Sequence, residues 1–461
     1  MSNYLITVGG TGQHFALAVT RLVRMGAMPQ DLKLIALDSD DDGPLSKLLA
    51  QPTRSLAGTA HPLGDGVVKP PFNLVGQGEG SFADMFVDGQ HKDESDLFDS
   101  LFTAEEGAIS IHTGMHATPC VGATVFAEGA NGPALAGFLE PLATANRVFV
   151  CGSVAGGTGA GMLDKLIQSI RRYYTRDELY GIFFLPWFEL PQQGTAKGVS
   201  PAILERNSNH GLKYFYERTV PVISASLLLG YPGTQRTKVL QPVKVQDGNM
   251  GEYASYLQLA AAHALVTLPQ ALTANNKIKV YGLVHDDNRE GWLLDDVWAG
   301  TKEGPTLRRR IRALRVQQNL LRFFTDEGNR PDVLAPYDGS ILGSPARFQE
   351  LHDSIVASCP EKPRRLGFMK EILTRFEELV DEARLCIEWM RDIFGPDGLG
   401  TDPVLDKLES TPLKRSPTHW RELQSMWTGE KLPAETTRTG GGVADHYARV
   451  LHDKVLSRRD P

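Results

Sequence analysis

Cys151-Gly152-Ser153-Val154-Ala155-Gly156-Gly157-Thr158-Gly159-Ala160-Gly161 is the stretch from which the rest of the chain can be read. An apolar, strand-like segment at 147–150 leads into it, and a segment of helical pattern, 162–174, follows. Four of the six residues from Gly156 to Gly161 are glycine. Such a run lets the backbone curl tightly enough to aim several N–H groups at one anion. The helix behind it adds the positive end of its dipole, so strand, glycine loop and helix together form a phosphate cradle. No Lys-Ser or Lys-Thr pair follows the last glycine, which excludes a Walker-type loop.

A second such turn opens the chain. The apolar strand at 4–8 runs into Gly9-Gly10-Thr11-Gly12-Gln13-His14 and then a helix over 15–24. Alone, this turn is a near-miss to the dinucleotide fingerprint: Gly10 and Gly12 fit, but Phe15 stands where a third small residue belongs. Asp38, closing the next strand at 32–37, would then take the ribose hydroxyls of NAD, which makes an NAD-dependent enzyme the rival reading. The loop at 156–161 weighs against it. A dinucleotide fold uses one glycine loop, whereas a triphosphate clamped from two sides needs two.

Composition narrows the class. The 461 residues suffice for two or three domains, and 41% hydrophobic with 22% charged residues is ordinary for a globular protein. A net charge of −7 opposes a constitutive nucleic-acid coat, though not a local basic patch. The four cysteines, Cys120, Cys151, Cys359 and Cys386, are far apart and form no CxxC pair. Free thiols in a reducing, cytoplasmic setting are therefore expected. No leader pattern opens the sequence, and no apolar run reaches the ~20 residues that span a bilayer, so no membrane role is expected.

Strands at 179–185 and 220–229 alternate with helices at 201–218 and 250–268, and the strands are near-continuously apolar. That alternation predicts a parallel, doubly wound α/β sheet with its ligand beyond the carboxyl edge. Residues 51–95 are rich in Gly, Pro and Asp and read as an irregular insertion. One more strand is expected at 277–284. Helices then dominate, at 306–325 and 366–394. In the latter, Met369, Ile372, Phe376, Leu379, Ala383, Cys386, Met390 and Ile393 form an apolar stripe. The expected layout is a nucleotide-binding domain over 1–250, a connecting helix at 250–270 and a helix-rich second domain over 271–394. Residues 395–461 then form a linker-like segment and a terminal helix.

The pattern Gly-Gly-Thr-Gly-x-Gly at 156–161 resembles the signature phosphate loop of the tubulin/FtsZ superfamily, and other segments agree in order. Gln13-His14 stands where FtsZ has Gly-Asn and tubulin Asn-Gln. Ala36-Leu37-Asp38-Ser39-Asp40 is similar to the FtsZ Ala-Val-Asn-Thr-Asp. His116-Ala117-Thr118-Pro119-Cys120-Val121-Gly122 resembles Gly-Ala-Asn-Pro-Glu-Val-Gly, the loop that senses the terminal phosphate. Leu185-Pro186-Trp187-Phe188-Glu189 resembles Lys-Pro-Phe-x-Phe-Glu, near the ribose. The resemblance covers roughly residues 3–270. It implies a bacterial tubulin-like protein with a divergent, helix-rich carboxyl-terminal region. GTP or GDP would be bound with Mg²⁺, hydrolysis would be assisted by a neighbouring subunit, and the chain would assemble head to tail into filaments. A non-hydrolysing GTP-binding scaffold, holding a partner protein through its helical region, is the alternative.

On that resemblance the backbone of Ala155, Gly156, Gly157, Thr158, Gly159, Ala160 and Gly161 holds the α- and β-phosphates. Gly9, Gly10, Thr11, Gly12, Gln13 and His14 close from the opposite side, and Thr118 lies in the terminal-phosphate loop. Asp38 and Asp40 are placed for Mg²⁺ or the ribose, with a solvated acidic loop as the plain alternative. Glu189 is a candidate ribose acceptor. Asn207 and Asn209 are candidates to read a guanine edge, because an amide both donates and accepts. Tyr253 or Tyr256 is placed to stack on the base, or else to serve as an ordinary core or surface tyrosine.

The family's catalytic acid motif after the central helix is not recognisable; by distance Asp286 or Asp287 serves, or Asp295 and Asp296, unless these are turn residues. Arg308, Arg309, Arg310, Arg312, Arg315 and Arg322 make a basic helix without an acid, open to nucleic acid or an acidic partner, or simply to solvent. His112 and His116 read as loop residues rather than a metal pair.

Overall fold

Parallel pairing dominates the computed structural model, which describes residues 2–25, 28, 32–38, 80–85, 92–111, 114–129, 133–190, 199–230, 243–244, 255–271, 278–279, 307–325, 365–398 and 439–457. Six strands form one sheet: β1 (Asn3–Val8), β2 (Leu32–Leu37), β3 (Arg147–Ser153), β4 (Leu179–Phe184), β6 (Ala225–Leu229) and β8 (Ile278–Lys279). Their spatial order is β2-β1-β3-β4-β6-β8, with every pair parallel. A separate two-residue pair joins β5 (Phe188–Glu189) to β7 (Val243–Lys244).

The sequence accounts for this directly. In β1, Leu5 to Val8 are all buried, and β4 is buried throughout, as expected of strands covered on both faces. Crossover helices supply the cover: α1 (Gly9–Arg24), α4 (Pro119–Gly129), α5 (Pro133–Leu139), α6 (Gly157–Tyr173), α7 (Pro201–Tyr214) and α8 (Tyr256–Ala271). Between them α2 (Lys92–Leu101) and α3 (Ala104–Gly107) form a small layer of their own. On one side of the sheet Ile6, Val8, Val150, Leu166, Ile167 and Phe183 belong to a single apolar cluster.

Order decides where a ligand can sit. From β1 the chain goes out to β2, then returns to the other side of β1 to lay down β3. The direction of winding therefore reverses between β1 and β3, whose register runs from Asn3 opposite Arg147 to Val8 opposite Gly152. Open α/β sheets bind ligands beyond the carboxyl ends of strands at such a switch point. Both glycine loops leave from those two ends.

Several expected elements differ in extent. Helix α2 starts at Lys92, inside the stretch to 95 that reads as an irregular insertion. The strand expected over 220–229 is Ala225–Leu229, because Val220–Val222, with Pro221, forms a 3-10 turn. Of the expected strand at 277–284 only Ile278–Lys279 is described. Helix α4 begins inside the 116–122 stretch that resembles a loop, on Pro119, whose fixed φ suits a first helical position.

The chain divides into two compact units. The first comprises Met1–Thr20, Pro29–Thr53 and Pro62–Trp292, and the second Arg21–Met28, Arg54–His61 and Leu293–Pro461. In the second unit α9 (Leu307–Thr325), α10 (Arg365–Gly398) and α11 (Gly440–Ser457) pack on one another. The expected stripe is its core: Met369, Ile372, Phe376, Leu379, Ala383, Cys386, Met390 and Ile393 are all buried. A fixed charge pair crosses this core, Arg375 Nε donating to Asp445 Oδ1 at 2.8 Å. The architecture is thus a parallel α/β domain followed by a helical region, as the strand–helix alternation predicts.

Candidate nucleotide site

Gly9 has φ +72°, a left-handed conformation that suits glycine, and it turns β1 straight into α1. A Cβ on Gly9 would lie 3.0 Å from the Gly159 nitrogen and 3.3 Å from Thr158 Cβ. The first turns of α1 and α6 therefore meet at backbone distance. Each helix leaves its first N–H groups without intrahelical partners. The N-cap of α6 is Gly156, extended at φ −77° and ψ 165°, and no side chain caps it. Neither helix has an acidic residue in its first turn. Two positive dipole ends thus converge at the switch point with no carboxylate of their own to neutralise them.

The glycines divide into two kinds. A Cβ on Gly157 would stand 2.5 Å from the Met115 carbonyl oxygen, one on Gly159 2.8 Å from the Ser153 carbonyl oxygen, and one on Gly161 against Pro119 O. These three are glycine because protein backbone lies against them. Gly122 reciprocates from α4, where a Cβ would meet Gly157 O at 2.5 Å. By contrast, no described residue lies within 4 Å of a Cβ on Gly10, and around Gly156 only Ser153 approaches, at 3.7 Å. Gly10 and Gly156 face space that a ligand can use.

The turn leaving β3 is held firmly. Val154 N donates to Phe184 O at 3.0 Å, and Ala155 N donates to Ser153 Oγ at 3.1 Å. Across from it, residues 114–118 form a strained loop: His116 has φ 41° and Ala117 φ 56°, rare values away from glycine. Thr118 N donates to Met115 O at 2.7 Å, and its hydroxyl to His116 O at 3.4 Å.

Other expected residues fall as follows. Asp38, partly buried at the end of β2, accepts from Gln13 Nε2 at 2.7 Å, joining the first loop to the second strand. Thr11 Oγ accepts from Trp187 Nε1 at 3.3 Å, and His14, 2% exposed, sets its ring edge-on to Trp187 at 5.5 Å. His14 is thus a packing residue under the loop. Thr158 is buried against Gly9. Glu189 and Asn209 are exposed, whereas Tyr256 is buried at the start of α8, the position of a core tyrosine. Asn207 is 7% exposed, and its Nδ2 donates to Ala117 O at 2.6 Å and to Ala155 O at 3.2 Å. Asp40, Tyr253, Asp286, Asp287, Asp295, Asp296 and His112 lie outside the described residues. Among the described residues no cluster of three or more His, Cys, Asp or Glu forms a metal cage.

Sequence reading missed Ser153, Gly122 and Gly211. The last lies one turn after Asn207 on α7, where a Cβ would run into the Val154 carbonyl oxygen. The signal was a glycine inside a helical pattern, which commonly marks close backbone approach.

Residues 131–214, which include the 156–161 loop, match the family described as "Tubulin like". No curated protein matches the chain. Solved structures that it is similar to include CetZ2 from Haloferax volcanii as a GTPγS-bound protofilament, at 18% identity and TM-score 0.29 over 52% of each chain. CetZ1 from Haloferax volcanii as a GDP-bound monomer is 15% identical, TM-score 0.29, over 52% of this chain and 55% of that one. An FtsZ mutant from M. jannaschii is 14% identical, TM-score 0.31, over 62% of this chain and 59% of that one. The match thus spans little more than half of those chains, and values this low add nothing to what the loops and strand order establish. No described helix is long and apolar enough to cross a membrane.

Proposed function

We propose that this chain, whose residues 131–214 match the tubulin-like family, is a guanine-nucleotide-binding member of the tubulin/FtsZ superfamily that hydrolyses GTP on self-assembly. One observation carries the reading: two helix N-termini, both free of first-turn acids and that of α6 without a side-chain cap, meet at Gly9 and Gly159 on the switch point of a parallel sheet. The residues fit a polyphosphate. Backbone N–H groups at the starts of α1 and α6 donate to phosphate oxygens, and Gly10 and Gly156 leave room for them. A dinucleotide pyrophosphate rests on one helix N-terminus, which leaves the second without a task and weakens the NAD reading.

The triphosphate supplies the reactive phosphoanhydride; the chain supplies position and electrostatics. Mg²⁺ is usually held by one or two carboxylates together with phosphate oxygens and water, so Asp38 is the fitting protein ligand and Asp40 the second candidate. The Gln13 hydrogen bond orients the Asp38 carboxylate. The Trp187 bond to Thr11 fixes the first loop from the side of β4. The acid for hydrolysis is assigned by resemblance to Asp286 or Asp287 of a neighbouring copy in a head-to-tail filament. The likeness of the 156–161 loop to the tubulin/FtsZ phosphate loop makes guanine the first nucleotide to test.

The test is direct. Denaturing the purified protein and chromatographing the supernatant should release GTP or GDP, and turnover per chain should rise with protein concentration together with light scattering. NAD in the supernatant, or no nucleotide binding at all, overturns the assignment. Binding without turnover at any concentration selects the scaffold alternative, in which the helical region, with its own buried core, holds a partner.

A further inference from the structure

We propose that the chain joins a second copy of itself through two patches of unlike charge, the acidic, leucine-bearing face of α2 on one copy and the basic, tyrosine-bearing end of α7 on the next. This contact gives surfaces to the self-assembly proposed above and rests on that reading.

Helix α2 carries two apolar stripes, where a surface helix needs one. Phe98 and Phe102 pack on Phe82, with ring centroids 5.3 and 4.9 Å from it. That stripe closes the satellite core of Phe82, Ile109, Met115 and Val121. Leu97 and Leu101, one turn apart on the second stripe, are 60% and 65% exposed. The exposed charges of this segment, Asp96, Asp99 and Glu105, are all acidic, and no Lys or Arg occurs from 95 to 110. A capping box holds the segment in shape: Thr103 Oγ accepts from Glu106 N, and Glu106 Oε2 accepts from Thr103 N at 2.8 Å. An apolar pair is thus presented on a fixed helix inside an acidic rim, the composition of a contact surface.

The other large apolar side chains exposed among the described residues are tyrosines: Tyr173, Tyr214 and Tyr216. Tyr214 ends α7, and a single π-helical turn, Phe215–Thr219, carries Tyr216. Such turns concentrate at functional sites. Phe215, between the two, is buried with its ring 4.8 Å from that of Phe183, which leaves both tyrosines outside. Tyr173 ends α6, the helix on which this turn packs. Exposed bases accompany the tyrosines. Lys213 and Arg218 flank the pair, and Arg206 and His210 precede Tyr214 at four-residue steps, with Glu205 and Glu217 the exposed acids among them.

Interfaces concentrate tyrosine and arginine, and charges of opposite sign on facing rims select the partner and set its register. Each copy carries both patches, so a second copy supplies the complement that each lacks. Because the patches differ, the contact is heterologous. Each copy meets one neighbour through α2 and another through α7, and repetition gives an open chain or a ring.

The experiment uses the full chain with GTP and reads association by sedimentation and light scattering. Two variants reverse one patch each: Asp96→Lys with Asp99→Lys, and Lys213→Glu with Arg218→Glu. Either alone sets like charge against like, and the concentration at which assembly begins should rise on the order of tenfold. An equimolar mixture of the two should assemble near the unsubstituted concentration, because every contact between unlike copies then pairs opposite charges. Leu97→Ser with Leu101→Ser should weaken assembly without changing charge, and keeps the test open if a reversal fails to fold. Bound nucleotide, released by denaturation, should be the same in all variants. Assembly unaltered in either reversal or in the serine variant, or not recovered in the mixture, overturns the contact while self-assembly stands; so does weakening that comes with loss of nucleotide. Unaltered assembly of the acid-reversed variant would leave the leucine face to a foreign basic partner. No association of the unsubstituted chain at any concentration overturns the self-assembly reading itself.

Discussion

Gly10 and Gly157 each lie within the first two residues of a helix, yet they face different things. No described residue lies within 4 Å of a Cβ on Gly10; beyond Gly157 is the Met115 carbonyl, 2.5 Å from where a Cβ would stand. Replacing Gly10 by Ala should therefore leave the fold intact and stabilise the nucleotide-free protein by about 0.5 kcal/mol, through helix propensity. Gly10→Leu should fill the phosphate space and abolish binding. Gly157→Val must displace backbone, and should cost about 1–3 kcal/mol in thermal melting whether or not nucleotide is present. Matching behaviour of the two positions would show that the glycines share one task. Cys120 gives a second test at this scale. It is exposed, but desolvation and then its bond to the Glu106 carboxylate push the thiol up to about 11. Since the thiolate is the nucleophile, iodoacetamide at pH 8 should modify Cys120 far more slowly than a free cysteine, and Glu106→Gln should speed it. What a glycine faces is not legible locally: Pro119 O over Gly161 is a contact across 42 positions, so the run announced an anion site without saying which glycines serve it.

Elements were legible where one physical rule governs them. Fully buried parallel strands must be apolar throughout, and β1, β3 and β4 read that way. Helix α10 must bury one stripe, and its spacing said so. Helix α4 escaped because Pro119-Cys120-Val121-Gly122-Ala123-Thr124-Val125 has small residues where an amphipathic pattern needs contrast. Those small residues are its interface, since Gly122 on α4 and Gly161 on α6 let the two backbones touch. Gly122→Ala should accordingly push α4 off the α6 N-terminus. The expected loss is about 1–3 kcal/mol in urea unfolding, with nucleotide affinity falling because the 114–118 loop leads into α4. Unaltered stability would mean that the helices separate at no cost. The same long-range logic hid how Asn207 is held. Its residue type was readable as an amide near the site, but its two carbonyl partners lie 90 and 52 residues away.

Over the whole chain, the helical second unit tests how far composition can be trusted. The arginine run reads as a basic face open to nucleic acid, an acidic partner or solvent, yet Arg315 is 5% exposed and Arg310 and Arg312 are half-buried. Burial pulls the Arg310 guanidinium below its usual range. Sequence shows a charge but not the helices that cover it, here α10 and α11. The buried charge that tells most about this unit is Arg375, held by Asp445 at 2.8 Å and by Glu378 at 2.6 Å, so that α10 and α11 are joined by an ion pair inside an apolar bundle. Removing one partner of a buried pair leaves a charge that costs more than the pair contributed. Asp445→Asn should therefore destabilise the bundle by about 2–4 kcal/mol, discounted from the largest known cases because Glu378 remains beside Arg375. Replacing both partners by apolar residues, Arg375→Met with Asp445→Leu, should recover most of that loss, since no charge is then left buried. Hydrogen exchange at α10 and α11 amides measures the effect within the unit, independently of nucleotide binding. If the double variant is as unstable as the single one, the arginine and aspartate are not coupled. The packing of Phe376, Leu379 and Met390 would then hold the helices together unaided.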